Sequence, residues 1–226
     1  LSVTAVIPAA GIGKRFGGDV KKQFYQVLDQ TVMYYTLTAL NRAYPFEEFI
    51  LGGNPDDFPY LEEQLNRCGI SNYKLVRGGA ERYETVYNCL KEATGSHVLI
   101  HDAVRPFVQE RIIQETIQAG IANGAAICGV KVRDTLKKVG NDSVEKTVNR
   151  DEFILSHTPQ VFERTTLIRA VENLDDSDVV VTDEAQAMEI FGREVHWVES
   201  SPDNIKITFL DDMETAESLV RKYFQH

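Results

Sequence analysis

Gly11 and Gly13 stand two apart just beyond a β-branched apolar run, Val3 to Ile7, which stops at Pro8. With Ala9 and Ala10 they form a loop of small residues, where a ligand can approach bare backbone N–H groups. Lys14, Arg15, Lys21 and Lys22 then gather positive charge just past the loop. Backbone donors together with that many cations suit a polyphosphate better than a neutral ligand. Two better-known glycine loops fail to match. The dinucleotide fingerprint needs glycine where Phe16 stands, and the P-loop needs glycine and a hydroxyl where Pro8 and Arg15 stand. A tight strand-to-helix turn with solvated basic residues is the plainer alternative.

Further clusters fall at the ends of expected strands. Gly78-Gly79-Ala80-Glu81-Arg82 makes a second glycine turn into a helix, with Thr85 one turn on. Its free N–H groups and the Thr85 hydroxyl suit a base edge, with Arg82 bracing the loop; an ordinary N-capped turn is the alternative. His101-Asp102-Ala103-Val104-Arg105-Pro106 follows the apolar strand His97–Ile100. An aspartate there can hold Mg²⁺ or cap a turn, and Arg105, preceding proline, projects from a stiff loop. Thr158-Pro159-Gln160 and Thr182-Asp183-Glu184 read as hydroxyl-bearing turns for sugar hydroxyls or phosphate oxygens, the second equally as a helix cap. Asp203 and Lys206, three apart, are either site residues or a surface ion pair. The histidines show no metal-ligand spacing and no convincing Ser/His/Asp or Cys/His constellation exists.

These clusters need a frame. Candidate strands are Ala5–Pro8, Glu48–Leu51, Lys74–Val76, His97–Ile100, Ala126–Val132, His196–Glu199 and Asn204–Thr208. Amphipathic stretches alternate with them: Val32–Arg42, Tyr60–Cys68, Arg82–Ala93, Glu110–Asn123, Leu167–Asn173, one from about Asp183, and Met213–Phe224. The alternation predicts an α/β fold, a mainly parallel sheet with helices on both faces, whose ligands bind beyond the carboxyl ends of strands. Arg133–Val139 and Val144–Asn149, polar and β-like around Gly140-Asn141-Asp142, predict a hairpin arm over about 133–150. Such a hairpin is marginal alone, so it packs on a second copy of the chain or serves as a flap.

At 226 residues the chain is expected to form one domain, 1–226, and 43% apolar residues can fill its core. A net charge of −10 argues against nucleic acid or an acidic membrane as partner. An anionic substrate therefore needs a local basic pocket, for which Lys14, Arg15, Lys22, Arg82, Arg105, Arg150 and Lys206 are the candidates. Three widely spaced cysteines fit a reducing cytoplasm, and no apolar stretch reaches the about 18 residues of a membrane helix. The chain opens on Leu1 rather than methionine, as expected if a residue or two has been trimmed.

Taken together, these motifs resemble the 2-C-methyl-D-erythritol 4-phosphate cytidylyltransferases of the non-mevalonate isoprenoid pathway. The likeness covers nearly the whole chain and rests on residues 8–15, Lys22-Gln23, Gly78-Gly79 with Glu81-Arg82, His101-Asp102-Ala103 with Arg105-Pro106, Arg133-Asp134-Thr135, Val148 with Arg150, and the runs at 158–160, 182–184 and 203–206. The resemblance implies a Rossmann-like sheet, a homodimer joined by the arm, and Mg²⁺-dependent transfer of CMP from CTP to the polyol phosphate, giving 4-diphosphocytidyl-2-C-methyl-D-erythritol and pyrophosphate. It implies catalytic roles for Arg15, Lys22, Arg150 and Lys206. Nucleotide binding falls to Pro8, Ala9, Ala10, Gly11, Gly13, Lys14, Gly78, Gly79, Ala80, Arg82 and Thr85. Arg105, Thr135, Arg150, Thr158, Thr182, Asp203 and Lys206 surround the acceptor, with Asp102 and Asp203 near the metal. Arg150 is expected to serve the partner subunit's site.

The chain departs from the family pattern at Lys21 (usually proline), Ala80 (aspartate in relatives) and Thr85 (serine in relatives). Lys21 is expected to loosen the loop carrying Lys22. Ribitol-5-phosphate cytidylyltransferases share the glycine loop and the His-Asp-Ala-Val-Arg-Pro run and are the nearest alternative. A non-catalytic nucleotide-binding domain and a nicotinamide-dependent oxidoreductase are more distant ones, the latter weakened by Phe16.

Overall fold

A computed structural model describes residues 1–11, 21–174 and 181–225. In chain order its elements are β1 (Val3–Pro8), β2 (Gln26–Val27), β3 (Gln30–Thr31), α1 (Val32–Ala43), β4 (Glu48–Gly53), α2 (Phe58–Arg67), β5 (Tyr73–Arg77), α3 (Arg82–Glu92) and β6 (His97–Ile100). There follow α4 (Glu110–Asn123), β7 (Ala125–Lys131), β8 (Lys137–Val139), β9 (Val144–Thr147), β10 (Ile154–Glu163), α5 (Arg164–Glu172), α6 (Glu184–Ile190), β11 (His196–Glu199) and α7 (Asp212–Tyr223).

Seven strands form one sheet in the order β11-β7-β10-β6-β1-β4-β5. All run parallel except β10, which lies antiparallel between β6 and β7. Alternate side chains of each strand enter opposite cores. Ala5 and Ile7 of β1 join Leu37 of α1, Leu61 of α2 and Ile113 of α4, whereas Val6 joins Val86 of α3, Leu167 of α5 and Met188 of α6. Burial on both faces explains why these strands read as unbroken apolar runs, and it is the expected α/β arrangement. A third cluster joins α7 to α1 through Val220, Leu219 and Tyr35, beneath Val104 and Ile207.

Two sequence expectations require correction. Thr158-Pro159-Gln160, expected as a turn, lies within a ten-residue strand, Ile154–Glu163. Its ladder on β7 shifts register between His157 and Gln160, and the proline sits in that irregularity, where it interrupts the period-2 signal. Conversely, Asn204–Thr208 alternates like a strand but joins no sheet; Ile207 is held by its N–H on the Val104 carbonyl at 3.0 Å and by burial.

The expected hairpin is present as β8 paired with β9, closed by the Gly140 N–H on the Ser143 carbonyl at 2.9 Å. Val139 and Val144 on it are 66% and 59% exposed. No described helix is long and apolar enough to cross a membrane.

Candidate active site

The carboxyl ends of β1, β4, β5 and β6 share one rim, and the first glycine loop leaves it at Pro8. The Ala9 N–H bonds the Gly52 carbonyl at 2.6 Å, fixing the loop on β4. Gln23, buried on a 3₁₀ turn, donates through Nε2 to the carbonyls of Ala9 at 2.9 Å and Gly11 at 3.3 Å. That clamp brings the neighbouring Lys22 to the cleft wall. Lys21 does not hang loose: it is ion-paired to Asp57, so the substituted position is tied to the start of α2. Gly13, Lys14 and Arg15 lie outside the described residues.

The second glycine turn packs against the first. A Cβ on Gly78 would fall 2.4 Å from the Ala10 Cβ, so the contact demands glycine. The turn's N–H groups are not free, contrary to expectation. Gly79 N–H bonds the Thr85 hydroxyl at 3.0 Å, and Glu84 Oε2 accepts from Ala80 and Glu81 N–H at 2.6 and 3.2 Å. Thr85 Oγ1 in turn donates to the Glu81 carbonyl at 3.2 Å. The turn is internally satisfied and rigid, and Thr85 still lines the cleft. Between the two loops, Lys22, the Asp102–Val104 segment and Lys206 lies a cleft of about 620 Å³.

Asp102 stands at its base, buried and surrounded by cations. Arg82 Nε reaches Oδ1 at 3.4 Å, while Arg105 Nε and Lys206 Nζ reach Oδ2 at 3.2 and 3.0 Å. Burial alone would raise the Asp102 pKa; the charges of Lys206, Arg82 and Arg105 outweigh it and hold the carboxyl below the ordinary carboxylate range. Beneath it, complete burial pushes the His101 pKa down to about 4, so the ring is neutral at neutral pH. Its Nε2 faces the Arg105 carbonyl at 3.0 Å, which can only accept, so the proton sits on Nε2. Nδ1 then accepts from Thr158 Oγ1 at 3.0 Å, and that oxygen accepts the Asp102 N–H at 3.0 Å.

A second cleft of about 590 Å³ adjoins the first, and Lys206 lines both. Arg105, Lys131 and Arg133 make it basic, Asp134 and Glu199 temper it, and His157 and Ser200 add neutral donors and acceptors. His157 and Ser200 were missed in the sequence; the signal for His157 was its place beside Thr158-Pro159-Gln160. Burial pushes the His157 pKa down to about 4, so it too is uncharged at neutral pH.

Several expected site residues stand elsewhere. Thr158 is 4% exposed, lines neither cleft, and spends its hydroxyl on His101 and Asp102. Asp203 also lines neither; Lys222 and the Tyr223 hydroxyl hold its carboxylate at 2.7 and 2.6 Å, which anchors α7. Thr182 bonds Gln186 Oε1 through N–H and Oγ1 at 2.9 and 3.1 Å, so capping is what it does. Thr135 and Arg150 are exposed on the arm and line neither cleft, with Arg150 donating to the Arg133 carbonyl.

The expected metal ligands do not fit a metal. Both Asp102 oxygens face cations, Asp203 is engaged on α7, and no three His, Cys, Asp or Glu side chains gather among the described residues. A divalent ion beside Asp102 would meet three positive charges at close range.

Glycine loops and clustered cations at the carboxyl rim of a mainly parallel sheet belong to a nucleotidyltransferase, and comparison with known proteins gives the same class. A sequence profile for 2-C-methyl-D-erythritol 4-phosphate cytidylyltransferase matches residues 3–222. Proteins of that name from Bacillus cereus and Lysinibacillus sphaericus are 38% and 39% identical to this chain over 220 residues, spanning 96% of it and 97% and 95% of their own length. The 4-diphosphocytidyl-2C-methyl-D-erythritol synthase of Anaerococcus prevotii superposes with a TM-score of 0.86 at 32% identity, covering 97% of this chain and 96% of that one. The 2-C-methyl-D-erythritol 4-phosphate cytidylyltransferase of Thermus thermophilus gives 0.79 at 29%, covering 98% and 100%. The chain belongs to the 2-C-methyl-D-erythritol 4-phosphate cytidylyltransferase family.

Proposed function

We propose that this enzyme transfers CMP from CTP to 2-C-methyl-D-erythritol 4-phosphate, yielding 4-diphosphocytidyl-2-C-methyl-D-erythritol and pyrophosphate. The observation that carries the reading is Lys206: held by Asp102, it lines both clefts, so one ammonium faces two anionic partners at their meeting point. The triphosphate takes the cleft between the glycine loops, with Lys22 on its wall. The acceptor takes the adjoining basic cleft, where Arg105 meets its phosphate.

The reaction joins an acceptor phosphate oxygen to the α-phosphorus and breaks the bond from that phosphorus to the bridging oxygen of the β-phosphate, which leaves as pyrophosphate. A phosphate monoester, with its second pKa near ~6, is already mostly dianionic at neutral pH, so no general base is required. His101 is not placed to act as one, since both its ring nitrogens are engaged within the protein, by the Arg105 carbonyl and the Thr158 hydroxyl. The barrier is repulsion between anions and charge growing on the α-phosphate oxygens, which fixed cations relieve. Mg²⁺, when bound, would screen the charge of the triphosphate, and Asp102 and Asp203, both engaged by cations of the chain, are not proposed to hold it. The arm is proposed to join two copies, bringing Thr135 and Arg150 to the partner's acceptor cleft, in a cytoplasm that keeps the three free thiols reduced.

Pyrophosphate release tests the reading. With CTP and Mg²⁺, methylerythritol phosphate is expected to support turnover and ribitol 5-phosphate not. The reverse preference would move the chain to the other polyol, and absence of turnover with either would refute a cytidylyltransferase.

A further inference from the structure

In the Thr182-Asp183-Glu184 run, Thr182 bonds Gln186, and Asp183 caps the helix through Oδ1, which accepts the Gln186 N–H at 3.0 Å, while its Oδ2 accepts from Ser156 Oγ and Gln160 Nε2 of β10 at 3.2 and 2.9 Å. Glu184 does something else. It is 3% exposed, and both its oxygens take Arg82 Nη1, at 2.7 and 2.9 Å. Arg82 is the first residue of α3, and its Nε reaches Asp102 Oδ1 at 3.4 Å. One guanidinium thus ties α6, the second glycine turn and the loop after β6. It also lines the nucleotide cleft, and among the described residues nothing takes its Nη2.

A buried ion pair is weak support for stability as such, because desolvation offsets its attraction; its attested use is to fix geometry. A planar guanidinium held on two edges cannot rotate, so its remaining donors face one direction. We propose that Glu184 is a positioning residue of the nucleotide cleft. Acting through Arg82, it fixes the guanidinium edge offered to CTP and the start of α3, on which Gly79 and Ala80 depend. The proposal rests on the reading of this cleft as the CTP site.

Calorimetric titration of CTP with Mg²⁺, alongside steady-state kinetics, tests it. Glu184→Gln, which keeps the shape and removes the charge, is expected to weaken CTP about tenfold. The acceptor KM should stay within about twofold, a split that general loosening of the fold would not produce. Because Glu184 acts only through Arg82, the loss should vanish when Glu184→Gln is added to an Arg82→Met background. Equal CTP affinity in folded Glu184→Gln and wild type, or an undiminished loss in the Arg82→Met background, overturns the proposal. Should Glu184→Gln not fold, Arg82→Lys decides, since an ammonium keeps the charge but cannot span both carboxylates. A loss of about tenfold then supports the proposal and wild-type affinity overturns it. Wild-type protein that binds no CTP overturns the nucleotide reading itself, a result distinct from the others.

Discussion

Lys22 owes its place to its neighbour: Gln23 grips two carbonyls of the first glycine loop, and the short 3₁₀ turn carries the ammonium to the cleft wall. If it meets charge that grows during the reaction, Lys22→Ala should lose about 3–4 kcal/mol of transition-state stabilisation, roughly a hundred- to thousandfold in kcat. CTP binding should change far less. Stopped-flow or steady-state assays check this, and near-normal kcat would remove Lys22 from the chemistry. His101 gives a prediction about pH. Its pKa is pushed down by burial to about 4 in the folded chain, so the unfolded chain binds the extra proton as pH falls below about 6.5. Its contribution is complete above that value and declines toward pH 4, by about 1.4 kcal/mol per pH unit. Glu184, whose pKa burial raises, works in the opposite sense, so the difference between wild type and His101→Gln isolates the histidine. Urea unfolding at pH 7 and pH 5 should show a shallower loss in the variant; identical pH slopes would contradict the assignment. Residue types made Lys22, Asp102 and Lys206 legible as a cluster. Which ion faces Asp102 was not legible, because its three cations come from positions 82, 105 and 206.

At the scale of elements, close approaches decide. Gly78 lies where the two glycine loops touch, so Gly78→Ala forces them apart by its 2.4 Å contact with Ala10. CTP affinity is expected to fall by about tenfold or more, read by titration; unchanged affinity would mean the turn does not shape the cleft. Gly120 lets α4 settle on β10, and a Cβ there would stand 2.4 Å from Val161 Cγ1 and 3.1 Å from its carbonyl oxygen. Gly120→Ala should therefore destabilise by about 1–3 kcal/mol, although alanine favours helix by about 1 kcal/mol. A urea midpoint at or above that of wild type would show that the helix can shift without cost. Helices such as Glu110–Asn123 were legible because their apolar stripes face one core. β10 was not, since its bulge and proline break the alternation and its partners lie on strands distant in sequence.

For the whole molecule, a net charge of −10 surrounds two adjoining basic clefts, so the cations that attract an anionic substrate are concentrated where the reaction would occur. The exposed Val139 and Val144 and the Arg150 side chain on the arm remain to be covered by the proposed second copy. Mixing a Lys22→Ala chain with an Arg150→Ala chain checks that assembly. If Arg150 serves the partner's site, some heterodimers regain one intact site and activity returns. No recovery despite demonstrated subunit exchange would place Arg150 in its own subunit's chemistry or outside it.

The amino-acid sequence by itself determined the alternation of strands and helices, the two glycine loops, the hairpin and the family. Each is written in local backbone chemistry: runs of buried apolar side chains, glycines where backbones must touch, a turn signal between polar strands. Only the tertiary structure decided that Asp102 faces Arg82, Arg105 and Lys206 together, that Asp203 anchors α7, and that Thr158 supports His101. A charged or hydroxyl side chain takes its role from whichever partners folding brings within hydrogen-bond reach, and most of those partners, Arg105 excepted, are not its neighbours in sequence.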